Sequence, residues 1–331
     1  MADALSVAVE RWPIAGGFTI SRGTKTEAVV VVARVERDGV SGRGECVPYA
    51  RYGETVDGVT AAVQAQADAV ARGIGVQDLL QLMPAGAARN ALDAALWGQA
   101  ARSRGVPVWQ LAGLPRPQPV TTAFTLSLGD PAAMAAAAAR ASARPLLKIK
   151  LGGPEGGRGD DERIRAVRAA APASTLVVDA NEAWTEATLD HNLAACAAAG
   201  VALIEQPLPA GADGALEGFY SPVPLCADES FHGRDSLDQV ARRYSHVNLK
   251  LDKTGGLTEA IAVAQAARER GLGLMVGCML GTSLGMAPAF LLAPWAQYID
   301  LDGPLLLSRD REPGFVFEGS TMQPAGPGVW A

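Results

Sequence analysis

Three acidic residues follow successive apolar runs in the second half of this chain. Asp179 follows TLVV, Glu205 follows VALI and Asp228 follows PLCA, at intervals typical of a βαβ unit. In a parallel barrel the carboxyl ends of the strands meet at one mouth, so these carboxylates would share one site. Like charges in contact do not all stay ionised unless a cation lies between them, and carboxylate oxygens favour a hard ion. The pattern therefore predicts one Mg²⁺ per subunit, held by these three residues.

Lysines occur at neighbouring strand positions. Lys148 and Lys150 lie on the apolar strand LLKIKL, where alternation places both ammonium groups on one side, and Lys250 follows the run HVNL. Burial beside a cation would lower the pKa of such lysines toward the range of a general base. Lys150 and Lys250 would face each other across a bound substrate, one removing a proton from carbon and the other returning one to the opposite face. Lys148 would support the substrate carboxylate. This is the chemistry of a racemase or epimerase.

Five motifs occur in a fixed order: KIK, DAN, EQP, ADES and NLKLDKTGG. Together they resemble the enolase superfamily and, within it, the muconate-lactonizing subgroup, most closely the dipeptide epimerases that act on L-Ala-D/L-Glu. The resemblance extends from FTISRGTKTEA through GECVPYARYGE to GCMLGTS and DLDGP. It implies a modified TIM barrel, (β/α)7β, with an α+β capping domain, a Mg²⁺-stabilised enediolate, and a role in recycling peptidoglycan peptides.

The hydrophobic pattern separates two regions that would position these residues. Strands at 4–11 and 27–36 and helices at 58–82, 88–104 and 132–143 are indicated by apolar periodicity and by Ala content. From residue 121 onward, strands alternate with helices, which predicts a parallel barrel. We expect an α/β protein in which residues 1–118 and the tail 303–331 form the cap, and residues 119–302 form the barrel.

Substrate selection is assigned to residues at the predicted seventh and eighth strands and in the cap. Asp300 and Asp302 in IDLDGP would emerge at the barrel mouth and could pair with the free ammonium group of a dipeptide. Arg22 lies where the resemblance implies an Arg that meets the side-chain carboxylate of Glu. Cys278 and Met279 would line the pocket. The expected substrate is a small acidic dipeptide, inverted at the α-carbon of its C-terminal residue.

Composition sets limits on partners and location. The net charge of −6 argues against a nucleic-acid partner. No uncharged apolar stretch reaches ~18 residues and the N-terminus does not resemble a signal peptide, so we expect a cytoplasmic protein with no membrane partner. The four cysteines lack metal-ligand spacing and are expected to be reduced. The sequence leaves a homo-oligomer open.

Two alternative functions are open on these observations. An N-acylamino-acid racemase, an o-succinylbenzoate synthase or a cycloisomerase of the same subgroup would use the same lysines and metal. Such an enzyme would not need paired acids that bind an ammonium group. A non-catalytic barrel that binds a metal and an acidic ligand is a different class, and the opposed lysines argue against it.

Two smaller expectations concern charged residues near the site. Lys253, in the turn KTGG, is expected to be exposed to solvent and not catalytic. Either Asp160 or Asp161 is expected to cap the helix that follows the KIK strand, because Asp favours that position.

Overall fold

The chain folds into an antiparallel cap and an eight-stranded parallel barrel in this computed structural model, which describes residues 4–153 and 155–331. The predicted α/β class, with a modified TIM barrel and an α+β cap, is confirmed. None of the helices in this part of the chain combines the length and the hydropathy that crossing a bilayer requires.

The cap contains an antiparallel sheet of β1 (Ala4–Ile20), β2 (Gly23–Arg37) and β3 (Val40–Cys46), in that order. The first two strands are longer than the predicted segments 4–11 and 27–36. The additional part of β1 contains Pro and Gly, which interrupt the alternation by which a strand is recognised, and the pairing passes them with a shift in register. The strand lengths therefore depend on backbone pairing that the apolar pattern does not reveal.

The tip of the β1–β2 hairpin reaches the barrel. Its turn is formed by Ser21 and Arg22, and the Ser21 hydroxyl donates to the carbonyl oxygen of Asn181 (3.1 Å). The backbone N–H of Leu128 donates to the carbonyl oxygen of Thr19 (2.9 Å). These contacts hold the hairpin over the loops at the carboxyl ends of the barrel strands.

Within the described residues the cap also contains five helices. They are α1 (Val56–Gln64), α2 (Ala67–Ala71), α3 (Val76–Leu82), α4 (Ala87–Arg104) and α5 (Val108–Leu111). The predicted helix at 88–104 corresponds to α4. The prediction of one helix over 58–82 is wrong, because Gly73 adopts a left-handed conformation (φ +84°) that separates α2 from α3.

Helix α4 packs directly on β3 through two glycines. A Cβ atom on Gly42 would lie 2.1 Å from the carbonyl oxygen of Ala95, and one on Gly44 would lie 2.1 Å from that of Ala91. These distances are far shorter than a van der Waals contact, so no side chain fits at either position. The alternating glycines of β3 therefore set the close approach of the helix.

A short strand, β4 (Val120–Thr121), precedes the barrel. The barrel strands that the structure describes are parallel and hydrogen-bonded in chain order. They are β5 (Phe124–Leu126), β6 (Leu146–Lys150), β7 (Thr175–Asp179), β8 (Val201–Glu205), β9 (Leu225–Ala227), β10 (His246–Leu249), β11 (Gly273–Gly277) and β12 (Tyr298–Asp300). Between the last and first strands, the backbone N–H of Ala123 donates to the carbonyl oxygen of Ile299 (2.8 Å), so the barrel is nearly closed.

Helices follow most of the barrel strands. They are α6 (Pro131–Arg140), α7 (Asp160–Ala170), α8 (Glu186–Ala198), α9 (Leu237–Val240), α10 (Leu251–Thr254), α11 (Leu257–Glu269), α12 (Ser283–Phe290) and α13 (Gly303–Leu306). The Ala-rich segment 132–143 forms α6 as predicted. The prediction that Asp160 or Asp161 caps α7 is wrong, since Gly159 is the N-cap residue. The Asp160 carboxylate instead accepts a hydrogen bond from the indole N–H of Trp184 (2.7 Å), which ties α7 to the next loop.

The tail contacts both parts of the molecule. Strands β13 (Phe317–Glu318) and β14 (Thr321–Met322) form a small antiparallel sheet with β4. The indole N–H of Trp330 donates to the carbonyl oxygen of Ala94 in α4 (3.0 Å). The end of the chain therefore fastens the cap to the segment that opens the barrel.

Candidate active site

Three carboxylates lie side by side at one mouth of the barrel. Asp179 ends β7, Glu205 ends β8 and Asp228 follows β9. Asp179 and Glu205 pair in register, and all three residues are at most 2% exposed. The structure thus brings together the three acids that the spacing singled out.

The two lysines of β6 contact these acids directly. The Lys148 Nζ lies 2.6 Å from Glu205 Oε2 and 2.7 Å from Asp300 Oδ2. The Lys150 Nζ donates to Asp179 Oδ2 (2.6 Å). Both lysines are buried, and both ammonium groups point to the interior of the barrel mouth as strand alternation requires.

Two more lysines meet at Asp228. The Lys250 Nζ donates to Asp228 Oδ2 (2.7 Å). The expectation that Lys253 is exposed is wrong: it is 3% exposed, and its Nζ donates to Asp228 Oδ1 and to the backbone carbonyl oxygen, both at 2.6 Å. Lys250 is the N-cap residue of α10, so one helical turn brings a lysine three positions later to the same carboxylate. The three-residue spacing of Lys250 and Lys253 could have indicated this shared contact, but the KTGG sequence suggested an exposed turn.

Ion pairing outweighs burial for four charges of this cluster, whereas burial raises the pKa of Glu205 and lowers the pKa of Lys253. Burial disfavours the charged forms of Lys148 and Lys250, yet the neighbouring carboxylates raise the pKa of both well above the ordinary value. The lowering of the pKa that was expected beside a cation is therefore not found for Lys148 among these carboxylates. Burial also opposes ionisation of Asp179 and Asp228, but the lysines lower the pKa of both carboxyl groups. A lysine that is held as an ammonium ion must lose its proton before it can act as a base.

The donor set of the cluster suits a divalent cation. Within the described residues, no group of three or more His, Cys, Asp or Glu side chains is arranged so that it could hold a metal ion. Ammonium groups lie between the acids instead, since the Lys148 Nζ is also 3.4 Å from Asp179 and the Lys250 Nζ is 3.8 Å from Glu205. A positive charge thus already lies in each gap between adjacent carboxylates. The oxygens of Asp179, Glu205 and Asp228 are the ligands that Mg²⁺ prefers, so the residues fit this ion.

Two residues in left-handed backbone conformations orient the acids. Asn181 (φ 46°) donates its backbone N–H (2.9 Å) and its side-chain amide (3.1 Å) to the Asp179 carboxylate. Gln206 (φ 36°) accepts the backbone N–H groups of Asp228 (2.9 Å) and Ser230 (3.0 Å) on its side-chain oxygen. Such strain persists where the surroundings hold the residue in place. Sequence reasoning missed Gln206, although the EQP motif contained it.

A cavity of about 800 Å³ lies between the hairpin of the cap and the barrel mouth. Six of the predicted site residues line it: Arg22, Lys150, Asp228, Lys250, Cys278 and Met279. Cys278 is a half-buried free thiol, and burial together with nearby acids raises its pKa, so it stays protonated. The cavity is of the size that small-molecule sites usually have.

Asp300 and Asp302 are buried beside the cavity but are not among its lining residues as described. Asp300 is held by the Lys148 ammonium group. Asp302 Oδ2 accepts the backbone N–H of Thr125 (2.6 Å). Burial and the charge of Asp300 raise the pKa of Asp302 to about 7. These two acids therefore lie at the end of the eighth strand, but they do not face an open space.

Arg22 reaches from the hairpin tip into the cavity. Its Nη2 donates to Glu229 Oε1 (2.8 Å) and to the Tyr49 hydroxyl (2.9 Å), and its Nη1 donates to the carbonyl oxygen of Asn181 (3.1 Å). Burial and the charge of Asp228 raise the pKa of Glu229 to about 7. The sequence analysis did not identify Glu229, although it is the second acid of the ADES motif.

Two family models match the chain. The mandelate racemase / muconate lactonizing enzyme N-terminal domain matches residues 2–113. The enolase C-terminal domain-like model matches residues 130–329.

Two characterised relatives are similar over most of their length. An L-Ala-D/L-Glu epimerase of Escherichia coli (strain K12) is 46% identical, and the match covers 93% of this chain and 95% of that protein. An N-acetyl-D-glutamate racemase of Pseudoalteromonas sp is 43% identical, with 91% of this chain and 94% of that protein covered.

Solved structures show the same architecture. An enolase family member from Agrobacterium tumefaciens with homology to dipeptide epimerases, with bound sodium and L-Ala-L-Glu, superimposes with a TM-score of 0.96 at 51% identity, covering 99% of this chain and 100% of that one. A dipeptide epimerase from Methylococcus capsulatus, complexed with Mg and L-Arg-D-Lys, has a TM-score of 0.89 at 29% identity, covering 100% of this chain and 99% of that one.

Proposed function

Because this chain belongs to the mandelate racemase / muconate lactonizing enzyme family of the enolase superfamily, and is an isomerase of the racemase and epimerase type, we propose that it inverts the α-carbon of the C-terminal residue of L-Ala-D/L-Glu. One observation carries the proposal. Lys150 and Lys250 line one cavity from β6 and from the end of β10, which are the second and the sixth of the eight barrel strands and hence lie across from each other.

Lys150 and Lys250 have complementary roles in the proposed reaction. One takes the α-proton of the substrate, and the other, protonated, delivers a proton to the opposite face, which inverts the centre. Lys148 carries a positive charge close to both, where it supports the substrate carboxylate. Mg²⁺, held by Asp179, Glu205 and Asp228, would stabilise the negative charge that develops on this carboxylate as the α-proton leaves. The Mg complex of the Methylococcus capsulatus epimerase supports this choice of ion.

Charged residues around the lysines recognise the two ends of the dipeptide. Arg22 contacts the side-chain carboxylate of the C-terminal Glu from above. Asp300 and Asp302 receive the free ammonium group of the N-terminal residue. Cys278 and Met279 form an apolar wall. A substrate of this kind suits an enzyme that recycles peptidoglycan peptides.

An N-acylamino-acid racemase is the second candidate, and the similarity to the N-acetyl-D-glutamate racemase favours it. An N-acyl substrate has no ammonium group to place beside the eighth strand. Asp300 is already paired with Lys148, but its buried Oδ1 accepts no hydrogen bond within the described residues, and an N-acyl substrate would bring no ammonium donor to it or to Asp302. The two buried acids therefore support the dipeptide.

The two candidates are separated by a direct comparison in ²H₂O with Mg²⁺. We expect the protein to epimerise L-Ala-L-Glu with a higher kcat/KM than it racemises N-acetyl-L-glutamate, as measured by loss of the α-proton signal and by chiral separation. Asp302→Asn should slow the dipeptide reaction and spare the N-acetyl compound. Faster turnover of N-acetyl-L-glutamate, unchanged in Asp302→Asn, would establish the second candidate instead.

A further inference from the structure

Lys25 lies on the face of the cap hairpin that covers the candidate active site. It pairs across the hairpin with Phe18, and directly paired residues of an antiparallel sheet project on the same face. The Phe18 ring lies 5.9 Å from the Nζ of Lys150, one of the two bases. Lys25 therefore projects toward the cavity, whose wall it helps to form.

Lys25 and Arg22 flank a single aromatic ring. The Lys25 Nζ lies 5.1 Å from the centre of the Tyr49 ring, and the Arg22 guanidinium carbon lies 5.8 Å from it. Burial and the charge of Arg22 both lower the pKa of Lys25. The two cations therefore repel each other across Tyr49, and an anion between them would relieve that repulsion.

The two cations differ in how their charge is balanced. Arg22 is paired with the buried Glu229 at 2.8 Å and lies 3.4 Å from Glu182. Lys25 forms no ion pair with any acid in the described part of the chain, and its ammonium group lies over the Tyr49 ring. Of the two cations, Lys25 is therefore the one whose positive charge is not balanced by a carboxylate in the described part of the chain.

We propose that Lys25 is a specificity-determining residue that binds the side-chain carboxylate of a dianionic substrate, in a subsite formed with Arg22 above Tyr49. The inference rests on the proposed function in that the α-carbon must lie between Lys150 and Lys250. It does not depend on whether the N-terminal group is an amino acid or an acyl group. Arg22, whose charge is balanced by Glu229, positions the carboxylate, and Lys25 supplies the net attraction that a neutral side chain would not need.

The test compares acids with their isosteric amides. Steady-state kinetics are measured for wild type, Lys25→Met and Lys25→Arg on L-Ala-L-Glu and L-Ala-L-Gln, and on N-acetyl-L-glutamate and N-acetyl-L-glutamine. Lys25→Met should raise KM for the preferred acid about tenfold or more and leave the matching amide nearly unchanged. Lys25→Arg should keep most of the wild-type preference for the acid, because it retains the charge.

The outcomes separate this inference from the proposed function. Equal losses on acid and amide in Lys25→Met, or an unchanged preference for the acid, would overturn the role of Lys25 even if the dipeptide reaction is confirmed. A wild type that prefers N-acetyl-L-glutamate would contradict the dipeptide, and Lys25→Met should then lower the preference for that acid over its amide. A wild type that does not distinguish any acid from its amide would overturn the subsite itself.

Discussion

Lysines and carboxylates at the barrel mouth form one buried cluster of ion pairs. Asp228 receives two ammonium groups, while Lys148 lies between Glu205 and Asp300, all of them buried. In a buried cluster, removing one charge leaves its partner without compensation, which costs more than the net contribution of the pair. Each charge therefore matters to its neighbours as well as to the substrate.

Lys253 is expected to be coupled to Asp228 energetically. A double-mutant cycle of Lys253→Met and Asp228→Asn, read from the free energy of unfolding, should give a coupling energy of about 1.5–3 kcal/mol, because the cycle isolates the short buried contact between the ammonium group and the carboxylate. The exposed pair of Arg234 and Glu259 is the matched control, and the cycle of Arg234→Met with Glu259→Gln should give about 1 kcal/mol or less. Additive effects in the buried cycle would contradict the assigned contact.

The sequence predicts the acids and lysines of the site well where they recur at strand ends. Asp179, Glu205 and Asp228 each end an apolar run, so the barrel topology alone brings them together. Lys253 could not be placed in this way, because its burial depends on the short helix α10 and on which carboxylate that helix faces. The partner of Arg22, Glu229, also depends on where a cap loop meets the barrel, and this contact between distant segments has no local pattern.

At the scale of elements, helix α4 of the cap holds the loop that follows β10. The Arg89 guanidinium donates to the carbonyl oxygens of Thr254 (2.7 Å) and Gly255 (3.0 Å) at the end of α10. Asp93 accepts hydrogen bonds from the hydroxyl and the backbone N–H of Thr258 at the start of α11. The helix that packs on the cap sheet thus fixes the segment that carries Lys250.

The α4–α11 contact should make stability depend on pH. Burial raises the pKa of Asp93 to about 7, against 3.8 for the free group, although Thr258 donates to it. Between these values Asp93 binds fewer protons in the unfolded chain than in the folded chain, so its contribution to the free energy of unfolding falls as pH rises from about 4 to about 7, then levels off.

Replacing Asp93 by Asn should remove this contribution. Relative to wild type, Asp93→Asn should gain stability as pH rises from 4 to 7, by on the order of a few kcal/mol. Urea unfolding at a series of pH values measures the difference, and Asp235→Asn on the surface serves as the control. A difference between Asp93→Asn and wild type that does not change with pH would show that Asp93 does not titrate in this range.

The order and type of the barrel elements follow from the sequence, whereas the bounds in the cap do not. Strand and helix alternate with clear apolar periods from β6 to β8 and again from β10 to β11, because each of these strands is buried and a helix covers it. The cap hairpin crosses Pro and Gly residues, and its length is set by pairing and by contact with the barrel. The segment 58–82, whose composition favours one helix, divides into three helices, with breaks at residues 65–66 and around Gly73.

At the scale of the whole molecule, the site is closed by two parts of the chain that are far apart in sequence. The barrel supplies the lysines and the acids, and the cap hairpin supplies the cations above them, with the cavity between. Groups that bind the folded state alone stabilise it by mass action. A metal held by strand-end carboxylates should therefore stabilise the molecule as well as enable turnover.

The Glu205→Gln variant tests whether metal binding stabilises the fold, by a thermal measurement that does not depend on activity. Addition of Mg²⁺ should raise the thermal midpoint of wild type, equivalent to about 2.7 kcal/mol at a hundredfold excess over Kd. The same addition should leave Glu205→Gln nearly unchanged, because one anionic ligand is lost while Asn248 keeps its oxygen acceptor (2.7 Å). Differential scanning calorimetry measures this shift. An equal Mg²⁺-induced shift of the thermal midpoint in both proteins would show that Glu205 is not a metal ligand.

The assignment of opposed bases is tested most directly by isotope exchange in ²H₂O with single-lysine variants. Lys150→Ala and Lys250→Ala should each abolish epimerisation of L-Ala-L-Glu, because one face of the α-carbon loses its proton donor or acceptor. Each variant should still exchange deuterium into one stereoisomer only, the two variants acting on opposite isomers, as observed by NMR of L-Ala-L-Glu and L-Ala-D-Glu. Arg234→Met, on the surface, should epimerise like wild type. Exchange into both stereoisomers by either variant, or epimerisation that survives the loss of either lysine, would contradict the two-base account.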